Sequence, residues 1–168
     1  VFLVNNYDNI LTVLREAGMG PDGKPDRCNT YKTFEELMTA QIHDFVEEEL
    51  ATYFGPFITF LKKSEKHVQK GETSSVNLGE AKALLRDFAD RWKGAIENMH
   101  KDSVTQFGSL QRGIDLLQRT LSQLLIYYTR FTGGEGVLVK LGPEGAALCK
   151  EAISHPAFIY EIKLKLKL

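Results

Sequence analysis

An apolar stripe at helical spacing runs through the centre of the chain and constrains the fold most strongly. From Phe107 to Tyr128, apolar residues recur every three or four positions, which is typical of a helix packed against other helices. Upstream, the stripe continues to Leu85 with an 11-residue repeat, and Ser103 is its one polar member. Residues 57–142 contain no proline that would force a helix to end. The stripe consists of Leu85, Phe88, Trp92, Ile96, Met99, Ser103, Phe107, Leu110, Ile114, Leu117, Leu121, Leu124 and Tyr128.

The length of this segment predicts an elongated molecule. As one helix, the segment from Asn77 to Phe131 would be about 80 Å long at about 1.5 Å per residue. A break or kink near Gly108 is the alternative, because the repeat changes there from 11 residues to 7. Gly94, Gly108 and Gly113 each cost about 1 kcal/mol relative to alanine inside a helix. We therefore expect close helix packing at all three glycines.

The positions beside the stripe distinguish a helical bundle from a simple two-stranded coiled coil. Such coiled coils usually carry charged residues there to select a partner. Here the flanking positions are uncharged, so the buried face is wider than a coiled-coil seam. These positions hold Gln111, Gln118, Leu125, Gly113, Thr120 and Tyr127. The sequence predicts an all-α, elongated antiparallel helical bundle over residues 1–168, with a self-associating coiled coil through residues 107–128 as the alternative.

Local signals predict the remaining helices of the first half. We expect a helix over residues 1–17 and a loop over residues 18–29, which contain several glycines and prolines. Thr33 and Glu36 have capping-box spacing, which predicts the start of the next helix. Gly55-Pro56 should break or kink that helix, because proline lacks a backbone donor and clashes with the preceding turn.

Similar local signals predict where helices begin in the second half of the chain. Asn77 and Glu80 repeat the capping spacing at the start of the central segment. Pro143 fits the first position of a further helix, and Pro156 can begin the last one. The segment 137–141 is ambiguous between a helical turn and extended chain. Residues 163–168 alternate lysine and leucine, a strand-like period that gives no firm prediction.

Composition limits the classes of function. The 168 residues carry a formal net charge of −1 with both signs mixed along the chain, which gives no support for nucleic-acid binding. No apolar run approaches the ~20 residues of a membrane span. Cys28 and Cys149 lack metal-type spacing, so we expect a reduced, cytosolic-side protein with no cofactor. Because the chain begins at Val1 inside an apolar run, we expect it to be a piece of a longer polypeptide.

Three polar groups are candidates for function. Lys62, Lys63, Lys66 and Lys70 form a basic face, whose interpretations are contact with an anionic membrane or acidic partner, or ordinary solvation. Asn5, Asn6, Tyr7 and Asp8 occupy one helical turn and favour a polar clamp between helices over a binding site. Glu97 and His100 have the Glu-x-x-His spacing of di-iron bundles, but no second such pair exists. A metal-binding helical-bundle enzyme is therefore the weakest alternative.

Several strings of residues resemble one family. Residues 2–8 read Phe-Leu-Val-Asn-Asn-Tyr-Asp, which resembles a string in the C-terminal region of the vacuolar protein sorting-associated protein 52 (Sac2) family. Residues 118–131, at the end of the central segment, provide the longest match. The resemblance covers nearly all of the chain and also includes residues 45–50, 54–60, 92–93, 101–104 and 160–163.

The resemblance implies a non-enzymatic subunit of a vesicle-tethering complex of the Golgi-associated retrograde protein type. Such a subunit contributes a helical rod that acts in endosome-to-trans-Golgi retrograde transport. Its expected partners are sister subunits, SNARE proteins and a Rab-type small GTPase. Its expected location is the cytosolic face of the trans-Golgi network and endosomes, with peripheral rather than integral membrane association.

Overall fold

The computed structural model describes residues 1–19 and 29–166. Within these ranges the chain forms α-helices and one short 3₁₀ turn, and no strand is present. The prediction of an all-α helical bundle is confirmed. The elements are α1 (Phe2–Glu16), α2 (Asn29–Gln69), the 3₁₀ turn (Thr73–Ser75), α3 (Leu78–Gln106), α4 (Leu110–Thr132), α5 (Val137–Lys140), α6 (Pro143–Glu151) and α7 (His155–Leu166).

The central segment forms two helices rather than one. α3 ends at Gln106, and the backbone at Phe107 and Ser109 is extended. Ser109 then caps α4, because its side-chain oxygen accepts a hydrogen bond from the backbone N–H of Arg112 at 3.3 Å. The alternative of a break near Gly108 is therefore correct, and a continuous helix of about 80 Å does not form. The prediction of an elongated rod therefore loses the support that it took from the length of one continuous helix.

Helix α4 folds back antiparallel to α3. Near the bend, Gly113 lies against Ser103. Toward the other end, the rings of Phe88 and Tyr128 stack with centroids 4.9 Å apart. In both pairs the residue numbers add up to 216. Residues at equal distances along the chain from the bend therefore lie opposite each other, as in an antiparallel helical hairpin.

The stripe lies almost entirely inside the protein. Its members on α3 are buried, as are Phe107 and the α4 residues from Leu117 onward. The two exceptions follow the bend: Leu110 is 58% exposed and Ile114 is half-buried. Burial of this stripe by other helices of the same chain removes the surface that the self-associating coiled coil would need.

Three glycines of the central segment, Gly94, Gly108 and Gly113, have different environments. A Cβ atom on Gly113 would lie 2.4 Å from the carbonyl oxygen of Ser103, so the prediction of close packing is confirmed there. No atom would lie within 4 Å of a Cβ on Gly94 or Gly108. The same prediction is wrong at those two positions, because Gly94 faces solvent and Gly108 lies in the bend.

Helix α2 begins earlier than predicted. It begins at Asn29, and the Thr33 hydroxyl donates to the Asn29 carbonyl at 2.8 Å inside the helix. The capping-box prediction at Thr33 is therefore wrong, because the chain is already helical one turn upstream. The predicted loop over 18–29 lies mostly outside the described residues.

A sharp bend divides α2 into two arms. Phe54 has a non-helical conformation (φ −129°, ψ 20°), two residues before Pro56. Across the bend, Lys62 Nζ lies 3.1 Å from Glu47 Oε2. Fifteen residues of straight helix would separate the two Cα atoms by about 22 Å, which is beyond the reach of these side chains. The predicted kink at Gly55-Pro56 is confirmed.

The remaining capping predictions hold. Asn77 Oδ1 accepts a hydrogen bond from the Glu80 backbone N–H at 3.1 Å, and Pro143 begins α6. The ambiguous segment 137–141 contains the helical turn α5. The lysine–leucine alternation does not form a strand, because α7 continues to Leu166; Lys167 and Leu168 lie outside the described residues.

The core centres on aromatic side chains from α2, α3, α4 and α7. Besides stacking on Tyr128, Phe88 lies 5.0 Å from Phe54, 5.2 Å from Phe57 and 5.8 Å from Phe158 between ring centroids. Aromatic pairs at such distances stabilise a core beyond their buried area. The bend of α2 brings its second arm onto the hairpin, so the core depends on that bend.

Candidate interaction surface

The polar turn at the start of the chain connects α1 to its neighbours. Asp8 forms an ion pair with Arg112 on α4, and the two side chains are 29% and 24% exposed. The ring of Tyr7 lies 5.9 Å from that of Phe34 on α2. Asn6 instead donates to the Phe2 carbonyl within α1 at 3.0 Å. Binding of a partner by Asn5, Asn6, Tyr7 and Asp8 stays a prediction.

The outer face of α1 carries exposed apolar side chains among polar ones such as Asn9. Phe2 is 77% exposed and Val13 is 63% exposed. The buried residues of this helix are Val4 and Leu11 on the opposite side. Exposed side chains of this size provide candidate contacts for another protein.

The predicted basic face is divided by the fold. Lys62 is bound to Glu47 and lies 5.2 Å above the ring of Tyr127, so it takes part in a contact between helices, although its side chain is 49% exposed. Lys63, Lys66 and Lys70 are exposed. Over the ranges that the structure describes, no carboxylate pairs with these three lysines.

Tyr127 joins both arms of α2 to α4. Its hydroxyl donates to Glu47 Oε1 at 2.8 Å. Lys62 Nζ and the guanidinium carbon of Arg130 lie 5.2 Å and 5.3 Å from the centroid of its ring. Arg130 in turn donates to Glu65 through Nε at 2.8 Å. Burial favours a higher pKa for Glu47, but the hydrogen bonds from Tyr127 and Lys62 outweigh it and lower the pKa. Sequence reasoning missed this cluster because Glu47 and Tyr127 are 80 positions apart.

A second polar contact joins α2 to α3. Tyr53 donates to Asp102 Oδ2 at 2.8 Å, and burial together with this bond raises the pKa of Tyr53 to about 12. Glu49, one turn before Tyr53, has a buried Oε1 without a hydrogen-bond partner. Burial and then the charge of Asp102 raise the pKa of the Glu49 carboxyl. The hydrogen bond between Tyr53 and Asp102 therefore links α2 to α3. The neighbouring Glu49 carboxylate has one buried oxygen that no hydrogen bond satisfies.

The Glu-x-x-His pair does not assemble a metal centre. Glu97 pairs with Lys165 on α7, and His100 Nε2 is buried without a hydrogen-bond partner. Residues 1–19 and 29–166 contain no group of three or more His, Cys, Asp or Glu side chains that could hold a metal ion. Within the same ranges, no helix combines the length and the apolar character needed to cross a membrane.

These features define an all-α helical-bundle protein in which many ionisable side chains join one helix to another. Further examples are the ion pairs of Lys93 with Glu161 at 3.8 Å and of Lys82 with Glu151 at 3.7 Å. Among the described residues, its exposed large apolar side chains include Phe2, Leu3 and Val13 on α1 and single positions on the other helices.

Comparison with known proteins places this bundle in a family. Vacuolar protein sorting-associated proteins 52 A and 52 B of Arabidopsis thaliana are 38% and 36% identical to the chain over 164 residues. The human vacuolar protein sorting-associated protein 52 homolog is 32% identical over 133 residues, or 78% of this chain and 18% of its own length. No family model and no solved structure matches. The chain belongs to the vacuolar protein sorting-associated protein 52 family.

The match covers a part of each relative. It includes 97% of this chain but 22% of the length of the two Arabidopsis proteins. The chain therefore spans about a fifth of the curated relatives that it matches.

Proposed function

We propose that this chain is a non-enzymatic part of a protein-sorting machine, acting as a helical protein-interaction subunit of a vesicle-tethering complex. The observation that carries the proposal is the 38% identity, over 97% of the chain, to a protein named for vacuolar protein sorting. The resemblance at residues 2–8 and 118–131 extends the proposal to the Golgi-associated retrograde protein type of complex.

The arrangement of side chains supports an interaction role. Several ionisable groups with shifted pKa values, including Glu47 and Tyr53, are engaged in contacts between helices. Apolar side chains such as Phe2 and Val13 remain exposed to solvent, where another protein can cover them.

The proposed partners are sister subunits, SNARE proteins and a Rab-type small GTPase. The proposed site of action is the cytosolic face of the trans-Golgi network and endosomes, with peripheral membrane association. The family resemblance supplies these partners and this location.

Complementation in cells tests the proposal. Cells depleted of their own family member would receive the full-length protein or a version lacking this 168-residue region. We expect the full-length protein to restore retrieval of a recycling receptor to the trans-Golgi network and to co-purify sister subunits. The truncated version should fail in receptor retrieval. Normal retrieval by the truncated version, or absence of sister subunits from the full-length purification, would overturn the proposal.

A further inference from the structure

Three lysines, Lys63, Lys66 and Lys70, form an exposed row along the second arm of α2, which we call the lysine ridge. All three are exposed, whereas Leu61 and Ser64 on the inner side of this arm are 0% and 2% exposed. Residues at three- and four-residue spacing share one face of a helix. The backbone N–H of Lys70 bonds to the Lys66 carbonyl at 3.3 Å, so the ridge continues through the last turn. It is about 11 Å long at about 1.5 Å per residue.

The acidic side chains of this stretch are engaged by other basic groups. Glu65 is bound by Arg130 on α4, whose Nε donates to Glu65 Oε1 at 2.8 Å. Glu72, just after the helix, lies 3.1 Å from the Nδ1 atom of His67 through its Oε2. Over residues 1–19 and 29–166, no carboxylate forms an ion pair with a member of the lysine ridge. Its three ammonium groups therefore face solvent without a carboxylate partner.

The charges beside the ridge occur in pairs of opposite sign. Lys62 is bound to Glu47 at 3.1 Å. Glu135 and Lys140 line one small pocket beside the second arm of α2. Because these pairs cancel, the lysine ridge gives this side of the arm an excess of positive charge.

The ridge lacks the apolar side chains that anchor a protein partner. Phe57, Phe60 and Leu61, which belong to the same arm, are only 3%, 7% and 0% exposed. The cores of protein–protein interfaces are rich in aromatic side chains and depleted of lysine. An anionic bilayer requires neither a pocket nor an apolar anchor, and each lysine near its surface strengthens binding about fivefold. The chemistry of the ridge therefore fits a lipid surface better than a protein.

We propose that the lysine ridge contacts an anionic lipid bilayer, with its ammonium groups among the phosphates and carboxylates of the headgroups. Lysine suits this role because its ammonium is a compact, strongly hydrated charge on a flexible stem. The contact stays at the headgroup level, because the ridge itself presents no apolar side chain for insertion. The inference rests on the proposed function, which includes peripheral membrane association, and it names the residues and the class of lipid.

Co-sedimentation of the full chain with lipid vesicles tests the proposal. Vesicles of phosphatidylcholine alone are compared with vesicles that also contain about 30% phosphatidylserine, at about 0.05 M and about 0.5 M salt. We expect binding to the anionic vesicles at low salt and little binding at high salt, because ions screen exposed charges. Replacing all three lysines of the ridge with glutamine should weaken binding by more than about tenfold. Replacing them with arginine should preserve binding, because the charge is kept.

A second triple variant controls for net charge. Lys101, Lys150 and Lys163 are exposed on α3, α6 and α7, so their replacement by glutamine removes the same charge and leaves the ridge intact. This variant should bind anionic vesicles within about threefold of the unmodified chain. Equal binding of the unmodified chain to both kinds of vesicle, or equal weakening by the two glutamine variants, would refute the proposal. Capture of a labelled glutamate-rich helical peptide in preference to anionic vesicles would also refute it, because the occupant would then be an acidic protein.

A cellular measurement separates this inference from the proposed function. In the full-length protein, the three glutamine substitutions of the ridge should lower the membrane-bound fraction, while sister subunits still co-purify. An unchanged membrane-bound fraction together with normal receptor retrieval would refute the inference and leave the proposed function intact. Absence of sister subunits from the unmodified protein would instead overturn the proposed function, and the vesicle measurement would still decide the lipid contact.

Discussion

The close packing of α4 against α3 requires a residue without a side chain at position 113, which is Gly113. An alanine Cβ there would lie 2.4 Å from the carbonyl oxygen and 3.1 Å from the carbonyl carbon of Ser103. Both atoms belong to the α3 backbone, so the helices must separate to relieve the overlap. Overpacking of this kind costs about 1–3 kcal/mol, whereas alanine gains about 1 kcal/mol over glycine in a helix. Because the overlap is severe, we expect Gly113→Ala to lower the free energy of unfolding by about 1–2 kcal/mol.

Gly94 provides the matched control on α3. It is exposed, and a Cβ there would meet no atom within 4 Å, so Gly94→Ala should raise the free energy of unfolding by about 1 kcal/mol. In thermal unfolding followed by circular dichroism, the melting temperature should fall by about 2–8 °C for Gly113→Ala and rise by about 2–4 °C for Gly94→Ala. Stabilisation by both substitutions would refute the close approach of α4 to α3.

Two further predictions concern the polar contacts of α2. Tyr127→Phe should destabilise the protein by about 1–2 kcal/mol, because the hydroxyl donates to a carboxylate. Because the pKa of Glu47 is lowered in the folded protein, this carboxylate adds to the free energy of unfolding above its unfolded-state pKa, and the contribution is lost as pH falls through the native pKa. An NMR titration in which Tyr127→Phe leaves the pKa of Glu47 unchanged would contradict this account. The raised pKa of Glu49 has the opposite sign, since stability then falls as pH rises past the unfolded pKa. Glu49→Gln should therefore stabilise the protein by at most about 1 kcal/mol at pH 7 and less at pH 4, and the exposed control Glu48→Gln should have no effect in the same urea unfolding experiments.

Periodicity and local capping predicted much of the helical structure. The stripe identified the buried faces of α3 and α4, because residues three and four apart share one side of a helix. Asn77 and Pro143 marked helix starts correctly, since each provides a local chemical reason for a helix to begin. Thr33 has a similar signal but lies inside α2, because a capping pattern cannot exclude helix in the residues before it.

The tertiary arrangement could not be predicted from the same signals. Ser109 is a good capping residue after Gly108, but the apolar spacing continues across the break and favours a continuous helix equally well. The contacts of Tyr127 with Glu47 and of Asp8 with Arg112 depend on the bend and the hairpin, so neither follows from spacing along the chain.

The position of Tyr127 has a consequence for motion. Its phenol contacts Glu47 on one side of the α2 bend and Lys62 on the other. A hinge movement at Phe54 would separate these two groups and break at least one contact of the same ring. The two arms and the end of α4 should therefore open as one cooperative unit, rather than as independent helices that fray separately.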